Sequence, residues 1–201
     1  MTQLIEPDRP SADDVLAELT EHVQLLAGPD AQPRPEQIEA VTAVVADRKR
    51  TLLVARTGFG KSAVYFSATK ILRARGWGPS IVISPLLALM RDQVAAAERL
   101  GLRAETINSS NVDDWGEVED ALLADEVDLL LIAPERLANP GFRERVFAMM
   151  LARPFALVCD EAHCISDWGH DFRPDYLRLR HVIDELPSLS LIHISEPTRP
   201  Y

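Results

Sequence analysis

The sequence contains few cysteines, and it lacks both a long apolar run and a secretory signal. Its two cysteines, Cys159 and Cys164, are too few for a disulfide framework or a four-cysteine zinc site. No apolar stretch approaches the roughly 18 residues that cross a membrane, and residues 1–7 do not place an apolar stretch after a basic one. We therefore expect a cytoplasmic protein with free thiols, with Cys159 in the core and no chemistry assigned to Cys164.

Positive charge is also scarce, because 21 lysines and arginines stand against 31 aspartates and glutamates, giving a formal net charge of −10. This balance argues against a broad basic face, the usual electrostatic footprint of nucleic-acid binding. Local arginines and lysines can still hold a few phosphates. A hydrophobic fraction of 47% over 201 residues indicates one globular domain with a packed core.

Apolar runs that are typical of strands alternate with segments of helical periodicity. The predicted strands cover residues 51–55, 80–84, 104–108, 127–132 and 155–160, and the predicted helices cover 11–27, 33–50, 61–75, 85–100, 113–124, 142–151 and 174–186. This alternation predicts an α/β fold whose parallel sheet has helices on both faces. Right-handed crossovers bring the carboxyl ends of the strands to one edge, where such sheets bind ligands.

Local signals predict several details of these elements. Ser11 and Asp14 have the spacing of a capping box, and Gly28 ends the helix that follows, which we interpret as packing against the main domain. Pro85 suits the first position of a helix. The apolar run 51–55 is interpreted as a buried strand.

A glycine-containing loop, Ala55-Arg-Thr-Gly-Phe-Gly-Lys-Ser62, follows the first predicted strand and leads into a helix that opens near Lys61. Gly58 and Gly60 allow backbone N–H groups to turn toward phosphate oxygens, and the helix N-terminus favours an anion. Lys61 would contact the β- and γ-phosphates, and Ser62 would bind Mg²⁺. The strict pattern begins with Gly, so this stretch taken alone could be an ordinary loop. The expected nucleotide-binding residues of the loop are Thr57, Gly58, Phe59, Gly60, Lys61 and Ser62.

A second predicted strand ends in paired carboxylates, within Phe155-Ala-Leu-Val-Cys-Asp-Glu-Ala-His163. Asp160 can hold Mg²⁺, and Glu161 can orient or deprotonate an attacking water. Lys61, Asp160 and Glu161 are therefore the candidate catalytic residues. Two strand ends of this kind, about a hundred residues apart, favour a nucleotide hydrolase over an ordinary loop.

Taken together, the motifs resemble the RecQ family of superfamily 2 DNA helicases, over residues 34–186. The matching stretches, in chain order, are Arg34-Pro-Glu-Gln37, the loop 55–62, Ser84-Pro-Leu-Leu-Ala-Leu-Met-Arg-Asp-Gln-Val94, Ala133-Pro-Glu-Arg-Leu137, the DEAH box Asp160-Glu-Ala-His163 and Cys164-Ile-Ser-Asp-Trp-Gly-His-Asp-Phe-Arg-Pro-Asp-Tyr176. The family often has Ala at the first position of the phosphate loop. The resemblance implies a RecA-like fold, the first motor lobe of a helicase.

The resemblance implies that Gln37 reads the edge of adenine, with Arg34 supporting the same pocket. An exposed helix glutamine is the alternative for Gln37. The family tends to place an aromatic residue just before this arginine, and Pro33 stands there instead, which puts base stacking in doubt.

The resemblance also implies that Ser84, Arg91 and Gln93 line the path of single-stranded DNA, although Arg91 could equally be an exposed helix charge. His163 would link the nucleotide site to the DNA site, with a structural histidine as the alternative. In the segment 164–176, aromatics can stack on unpaired bases, or they can be core anchors. The DNA-contacting residues expected there are Trp168, His170, Phe172 and Arg173.

The last segment does not resemble the family. Residues 189–199 equal the translation of a transposase-based sequencing adapter in one reading frame, so we expect 189–201 to be a non-native tail, although its alternating apolar and polar residues also suit a strand. The expected domains are a disordered start and packing helix at 1–30 and the motor lobe at 31–188. The second lobe, with its arginine finger, would be missing.

The resemblance thus implies an ATP-dependent DNA helicase that moves 3′ to 5′, uses ATP and Mg²⁺, and acts on single-stranded and duplex DNA. As a single lobe, the 201-residue chain is expected to bind ATP weakly and to unwind negligibly. An RNA-directed helicase of the same superfamily and a non-catalytic, nucleotide-dependent DNA-binding module remain as alternatives.

Overall fold

The structure, a computed structural model, describes residues 8–109, 111, 114–147, 155–161 and 189–195. Its strands are β1 Thr51–Val54, β2 Ser80–Ile83, β3 Ala104–Ile107, β4 Leu129–Ile132, β5 Phe155–Cys159 and β6 Leu189–Ser195. Within the described residues they form one six-stranded sheet in the order β1-β6-β5-β2-β4-β3, and every neighbouring pair is parallel. The predicted parallel sheet is confirmed.

The main helices are α1 Ala12–Ala27, α2 Pro35–Val45, α3 Lys61–Arg73, α4 Leu87–Arg99 and α5 Trp115–Leu123. The predicted capping box at the start of α1 is confirmed, because the Asp14 N–H donates to Ser11 Oγ at 3.1 Å and the Ser11 N–H donates to Asp14 Oδ2 at 3.1 Å. These two bonds satisfy backbone donors that the first turn of a helix leaves without partners.

Helices cover both faces of the sheet, as predicted. Along β4, Leu129 and Leu131 pack into the cluster that contains α1 to α4, whereas Leu130 and Ile132 pack with α5 on the opposite face. All four side chains are fully buried. A strand that is buried on both faces reads as a continuous apolar run, which is why this segment was recognisable in the sequence. The expected burial of Cys159 is confirmed.

The expectation that the first strand is buried is wrong for two of its residues. Leu53 is buried, but Leu52 is 64% exposed and Val54 is 51% exposed. The reason is topological, because β1 lies at the edge of the sheet. Alternate side chains of a strand point to opposite faces, and α5 packs at the far side of the sheet, where it contacts β3.

Three helix boundaries also differ from the prediction. α2 ends at Val45 and not at residue 50. α4 begins at Leu87, so Pro85 precedes the N-cap Leu86 and is not the first helical residue. The helix predicted over 142–151 begins earlier, as a short α-turn at Pro140–Phe142 that continues into a π-helix at Arg143–Phe147. Asn139 explains the earlier start, because its Oδ1 accepts the Phe142 N–H at 3.0 Å. Residues 148–151 and the helix predicted at 174–186 lie outside the described residues.

β6 lies within the segment 189–201 that we expect to be a non-native tail. Its backbone pairs on one side with β1, Ile192 opposite Thr51, and on the other side with β5, Leu191 opposite Leu157. The segment 189–195 therefore occupies an interior position in the sheet. Its adapter origin stays a prediction.

Candidate functional site

The glycine-containing loop joins β1 to α3 with two residues in the left-handed region. Gly58 has φ 77° and Gly60 has φ 85°, a backbone conformation that L side chains rarely adopt. Gly60 is the N-cap of α3, and the helix opens at Lys61, as predicted. The exposed loop and the helix N-terminus together present backbone N–H groups and positive potential at the surface.

Gln37 is buried at the start of α2 and contacts this loop directly. Its Nε2 donates to the carbonyl oxygens of Phe59 at 3.3 Å and Gly60 at 3.1 Å, and its Oε1 accepts the Arg34 N–H at 2.9 Å. The Arg34 guanidinium lies over the Phe59 ring, 5.1 Å from the centroid. The two residues expected at the adenine pocket are thus both adjacent to the phosphate loop.

Asp160 lies at the carboxyl end of β5, next to the end of β2. The parallel register places Ile83 opposite Cys159, and the Asp160 N–H donates to the Ile83 carbonyl at 2.9 Å. The next residue of each strand therefore meets its neighbour, and Ser84 Oγ donates to Asp160 Oδ2 at 3.3 Å. This contact joins two of the predicted site residues across 76 positions of sequence.

The electrostatics of Asp160 combine burial with several stabilising neighbours. Burial raises the pKa of the carboxyl, and the Glu161 N–H, the Ser84 hydroxyl, the positive charge of Lys61 and the Gln93 side chain each oppose that rise. The parallel strand order β1-β6-β5 places the loop that follows β1 and the Asp160 that follows β5 at the same edge of the sheet, and the Lys61 charge on that loop acts on the Asp160 carboxyl.

Glu161 follows in a left-handed backbone conformation, with φ 51°. Its N–H donates to Asp160 Oδ1 at 3.1 Å, and its side chain is half-buried. A non-glycine residue in this region stores backbone strain, which is often found at functional sites.

The predicted DNA-contacting residues divide into three groups. Arg91 is exposed on α4, where it is accessible to a ligand. Ser84 is fully buried and Gln93 is half-buried, and both are directed at Asp160. Their DNA-lining role stays a prediction; in this structure the Ser84 hydroxyl donates to the Asp160 carboxylate and accepts the Leu86 N–H at 3.5 Å. His163, Trp168, His170, Phe172 and Arg173 lie outside the described residues.

The residues present fit a nucleotide phosphate and a divalent cation. The phosphate loop is exposed, and a Cβ added at Gly58 would meet open space, so an anion can approach its backbone closely. Ser62 at the helix start and the carboxylate of Asp160 supply the oxygen ligands that Mg²⁺ prefers. Lys61 supplies a cation for the phosphates.

Sequence reasoning missed two buried groups near this edge of the sheet. Tyr65 on α3 is fully buried, and burial together with the Asp160 charge raises the pKa of its hydroxyl. Arg136, in the 3₁₀ turn Pro134–Ala138, is buried with its guanidinium 3.4 Å from the Trp115 ring centroid and 5.2 Å from that of Phe142. The Ala-Pro-Glu-Arg stretch is one of the motifs that resemble the RecQ family. A cation–π contact between residues far apart in the sequence, however, leaves no pattern in the local sequence.

Comparison with known proteins defines the class of this chain. A model of the DEAD/DEAH box helicase family matches residues 34–195. The chain belongs to the DEAD/DEAH box helicase family.

Curated relatives narrow this class. The chain is 33% identical to the ATP-dependent helicase SGS1 of Saccharomyces cerevisiae, in an alignment that covers 94% of this chain. It is 35% identical to the ATP-dependent DNA helicase Q1 of Pongo abelii and 32% identical to the ATP-dependent DNA helicase RecQ of Haemophilus influenzae, and each of these alignments covers 81% of this chain. The resemblance to the RecQ family is confirmed. The chain spans 13% of the first relative and 25% of each of the other two.

A solved structure supports the fold independently. The UvsW helicase from Bacteriophage T4 superimposes with a TM-score of 0.67 over 95% of this chain and 61% of that protein, at 15% sequence identity. This likeness confirms the helicase-type α/β fold. Among the described residues, no helix has the length and apolar character needed to cross a membrane.

Proposed function

We propose that this chain is the nucleotide-binding lobe of an ATP-dependent DNA helicase of the RecQ type. The whole protein couples Mg²⁺-dependent ATP hydrolysis to 3′-to-5′ movement on single-stranded DNA and to duplex unwinding. The names of the relatives support the choice of ATP and DNA.

The observation that carries this proposal is the meeting of two strand ends. The loop that follows β1 brings Lys61, and the turn that follows β5 brings Asp160 and Glu161, to the same edge of the parallel sheet, where the Lys61 charge opposes the rise that burial causes in the Asp160 pKa. A cation beside a buried carboxylate at the edge of a parallel sheet is the arrangement expected for phosphoryl transfer.

Each residue then has a defined task. Lys61 and the backbone N–H groups of the loop hold the phosphates, while Ser62 and Asp160 would hold Mg²⁺, which when bound would supply positive charge to the phosphate oxygens. Glu161 orients the attacking water and accepts its proton. The left-handed backbone of Glu161 and the hydrogen bond from its N–H to Asp160 Oδ1 hold the two residues next to each other.

The experiment that tests the proposal is DNA-stimulated ATP hydrolysis by the full-length protein. Single-stranded DNA should increase the rate strongly, and Glu161→Gln should abolish turnover while leaving ATP binding intact, because the amide keeps the shape of the side chain and loses the base. Glu98→Gln, an equal change on the exposed surface of α4, is the matched control.

Two outcomes would contradict the proposal. A well-folded full-length protein without any turnover would identify a nucleotide-dependent binding module. If RNA in place of DNA stimulated ATP hydrolysis, and the protein unwound RNA duplexes in place of DNA duplexes, it would be an RNA-directed helicase.

A further inference from the structure

One face of β1 is left exposed by the described part of the chain. Leu53 packs into the cluster that contains α1 to α4, whereas Leu52 is 64% exposed and Val54 is 51% exposed. Alternate side chains of a strand point to opposite faces, so these two lie on the face of α5. The register agrees, because Leu52 lies in register with His193 of β6, and His193 lies in register with Cys159 of β5. Cys159 packs in the cluster that contains α5.

The connections between the described strands follow one rule. The two that lead toward the β3 edge, β1 to β2 through α3 and β2 to β3 through α4, lie on the face of α1 to α4. The two that lead toward the β1 edge, β3 to β4 through α5 and β4 to β5 through the helical segment 140–147, lie on the opposite face. Crossovers of one constant hand between parallel strands produce this pattern.

The connection from β5 to β6 also leads toward the β1 edge. β5 ends at Cys159 and β6 begins at Leu189. Because these strands are parallel, the chain between them has to return from one end of the sheet to the other. The rule that the other four connections obey predicts a return on the face of α5, beside the exposed side chains of β1.

The sequence between β5 and β6 contains a segment with the pattern of a covering helix. This segment, 174–186, lies outside the described residues, and its leucine, isoleucine and valine residues are Leu177, Leu179, Val182, Ile183 and Leu186. The last four have the i, i+3, i+4, i+7 spacing of a helix that is apolar along one side. Arginines, a histidine and carboxylates occupy the positions between them. An apolar stripe of this kind matches the exposed apolar side of β1.

We propose that residues 174–186 form an amphipathic helix that packs on Leu52 and Val54 and completes the sheet face on which α5 lies. The chain itself delivers this segment to that face, so no second molecule is needed. The packing joins the strand that leads into the phosphate loop to the segment that follows the DEAH box. It goes beyond the proposed function and does not depend on it, because no ligand takes part.

Cysteine labelling measures this cover directly. Leu52→Cys and Leu123→Cys are each made with Cys164→Ser in the 201-residue chain, treated with a maleimide under native conditions and analysed by residue-resolved mass spectrometry. Leu123 on α5 is the matched control, because it is 66% exposed. Leu52→Cys should react about tenfold or more slowly than Leu123→Cys, since a covered thiol reacts only in molecules that open locally.

A second variant identifies the segment that provides the cover. Val182→Asp together with Ile183→Asp should bring the labelling rate of Leu52→Cys close to that of Leu123→Cys, because unpaired carboxylates are not buried against an apolar strand. The fully buried Cys159 reports on the fold in the same experiment and should stay unlabelled. If the two aspartates also expose Cys159, the comparison of Leu52→Cys with Leu123→Cys still decides.

Three results would overturn the proposal. Equal labelling of Leu52→Cys and Leu123→Cys would show that the β1 face is open. Protection of Leu52→Cys that increases with protein concentration would assign the face to a second copy of the chain. Protection that survives both aspartates, with Cys159 still unlabelled, would assign it to a different segment.

Discussion

Arg73 is the centre of a partly buried ion-pair cluster that attaches the end of α3 to the turn before β4. Its Nε is 2.7 Å from Asp128 Oδ1 and its Nη1 is 2.9 Å from Asp125 Oδ1, while Nη1 also donates to the Trp77 carbonyl at 2.8 Å. We expect Arg73→Met to destabilise the fold, because it removes the hydrogen bonds that the guanidinium donates to two carboxylates and to the carbonyls of Trp77 and Asp125.

The magnitude follows from the exposure of the partners. The Arg73 side chain is 15% exposed, whereas Asp128 is 24% and Asp125 is 39% exposed. Breaking a fully buried pair costs about 3–5 kcal/mol, and an exposed pair contributes about 0–1 kcal/mol. Partial exposure puts the expected loss at roughly 2 kcal/mol, or about 4–8 °C in the unfolding midpoint for a chain of this size.

The assay is urea unfolding followed by circular dichroism, with Arg103→Met as the matched control. Arg103 also pairs with two carboxylates, Glu126 at 2.7 Å and Glu105 at 3.5 Å, but its side chain is 49% exposed. Its replacement should change the urea midpoint little. Equal destabilisation by the two variants would refute the reasoning that burial sets the strength of these pairs.

Three further predictions concern single side chains. The Ser84 hydroxyl donates to the Asp160 carboxylate, so Ser84→Ala should raise the Mg²⁺ concentration for half-maximal nucleotide binding several-fold. Ser84→Thr, which keeps a hydroxyl, should restore the wild-type value, and calorimetry at varied Mg²⁺ measures both. Burial, helped by the charge of Lys70, lowers the pKa of His22. The contribution of His22 to the free energy of unfolding is therefore present above about pH 6.5 and is lost as the pH falls. Between pH 7 and pH 5, urea titrations should show a smaller decrease in the free energy of unfolding for His22→Gln than for wild type. Arg136→Lys loses the planar guanidinium that stacks on Trp115 and should lower the free energy of unfolding by roughly 1 kcal/mol, and an unchanged thermal midpoint would contradict this.

The parts of the fold that local sequence dictates were predictable. Gly58 and Gly60 adopt positive φ, a conformation that glycine reaches easily because it has no Cβ. The Ser11 capping box forms between residues three positions apart. The apolar run of β4 identifies a strand that is covered on both faces. In each of these cases the physical cause lies within a few residues of its effect.

Contacts between distant residues were not predictable in the same way. The edge position of β1, and with it the exposure of Leu52, depends on which strands pair. The hydrogen bond from Ser84 to Asp160 crosses 76 positions, and that from Gln37 to the Gly60 carbonyl crosses 23. A residue-type pattern shows that these side chains are polar, but not which protein partner they meet, so it predicts their ligand contacts and not these hydrogen bonds.

The interior position of β6 bears on where residues 189–195 come from. A strand between two partners of a parallel sheet normally reads as an unbroken apolar run, and Ser190 and His193 interrupt this one. The pairing with β1 and β5 uses backbone groups, which any extended segment supplies, so the position can be filled by a sequence that was not selected for it. We therefore expect resequencing of the gene to give a different, more apolar strand after residue 188. A genomic reading that continues uninterrupted through the same peptide would show instead that the interrupted strand is native.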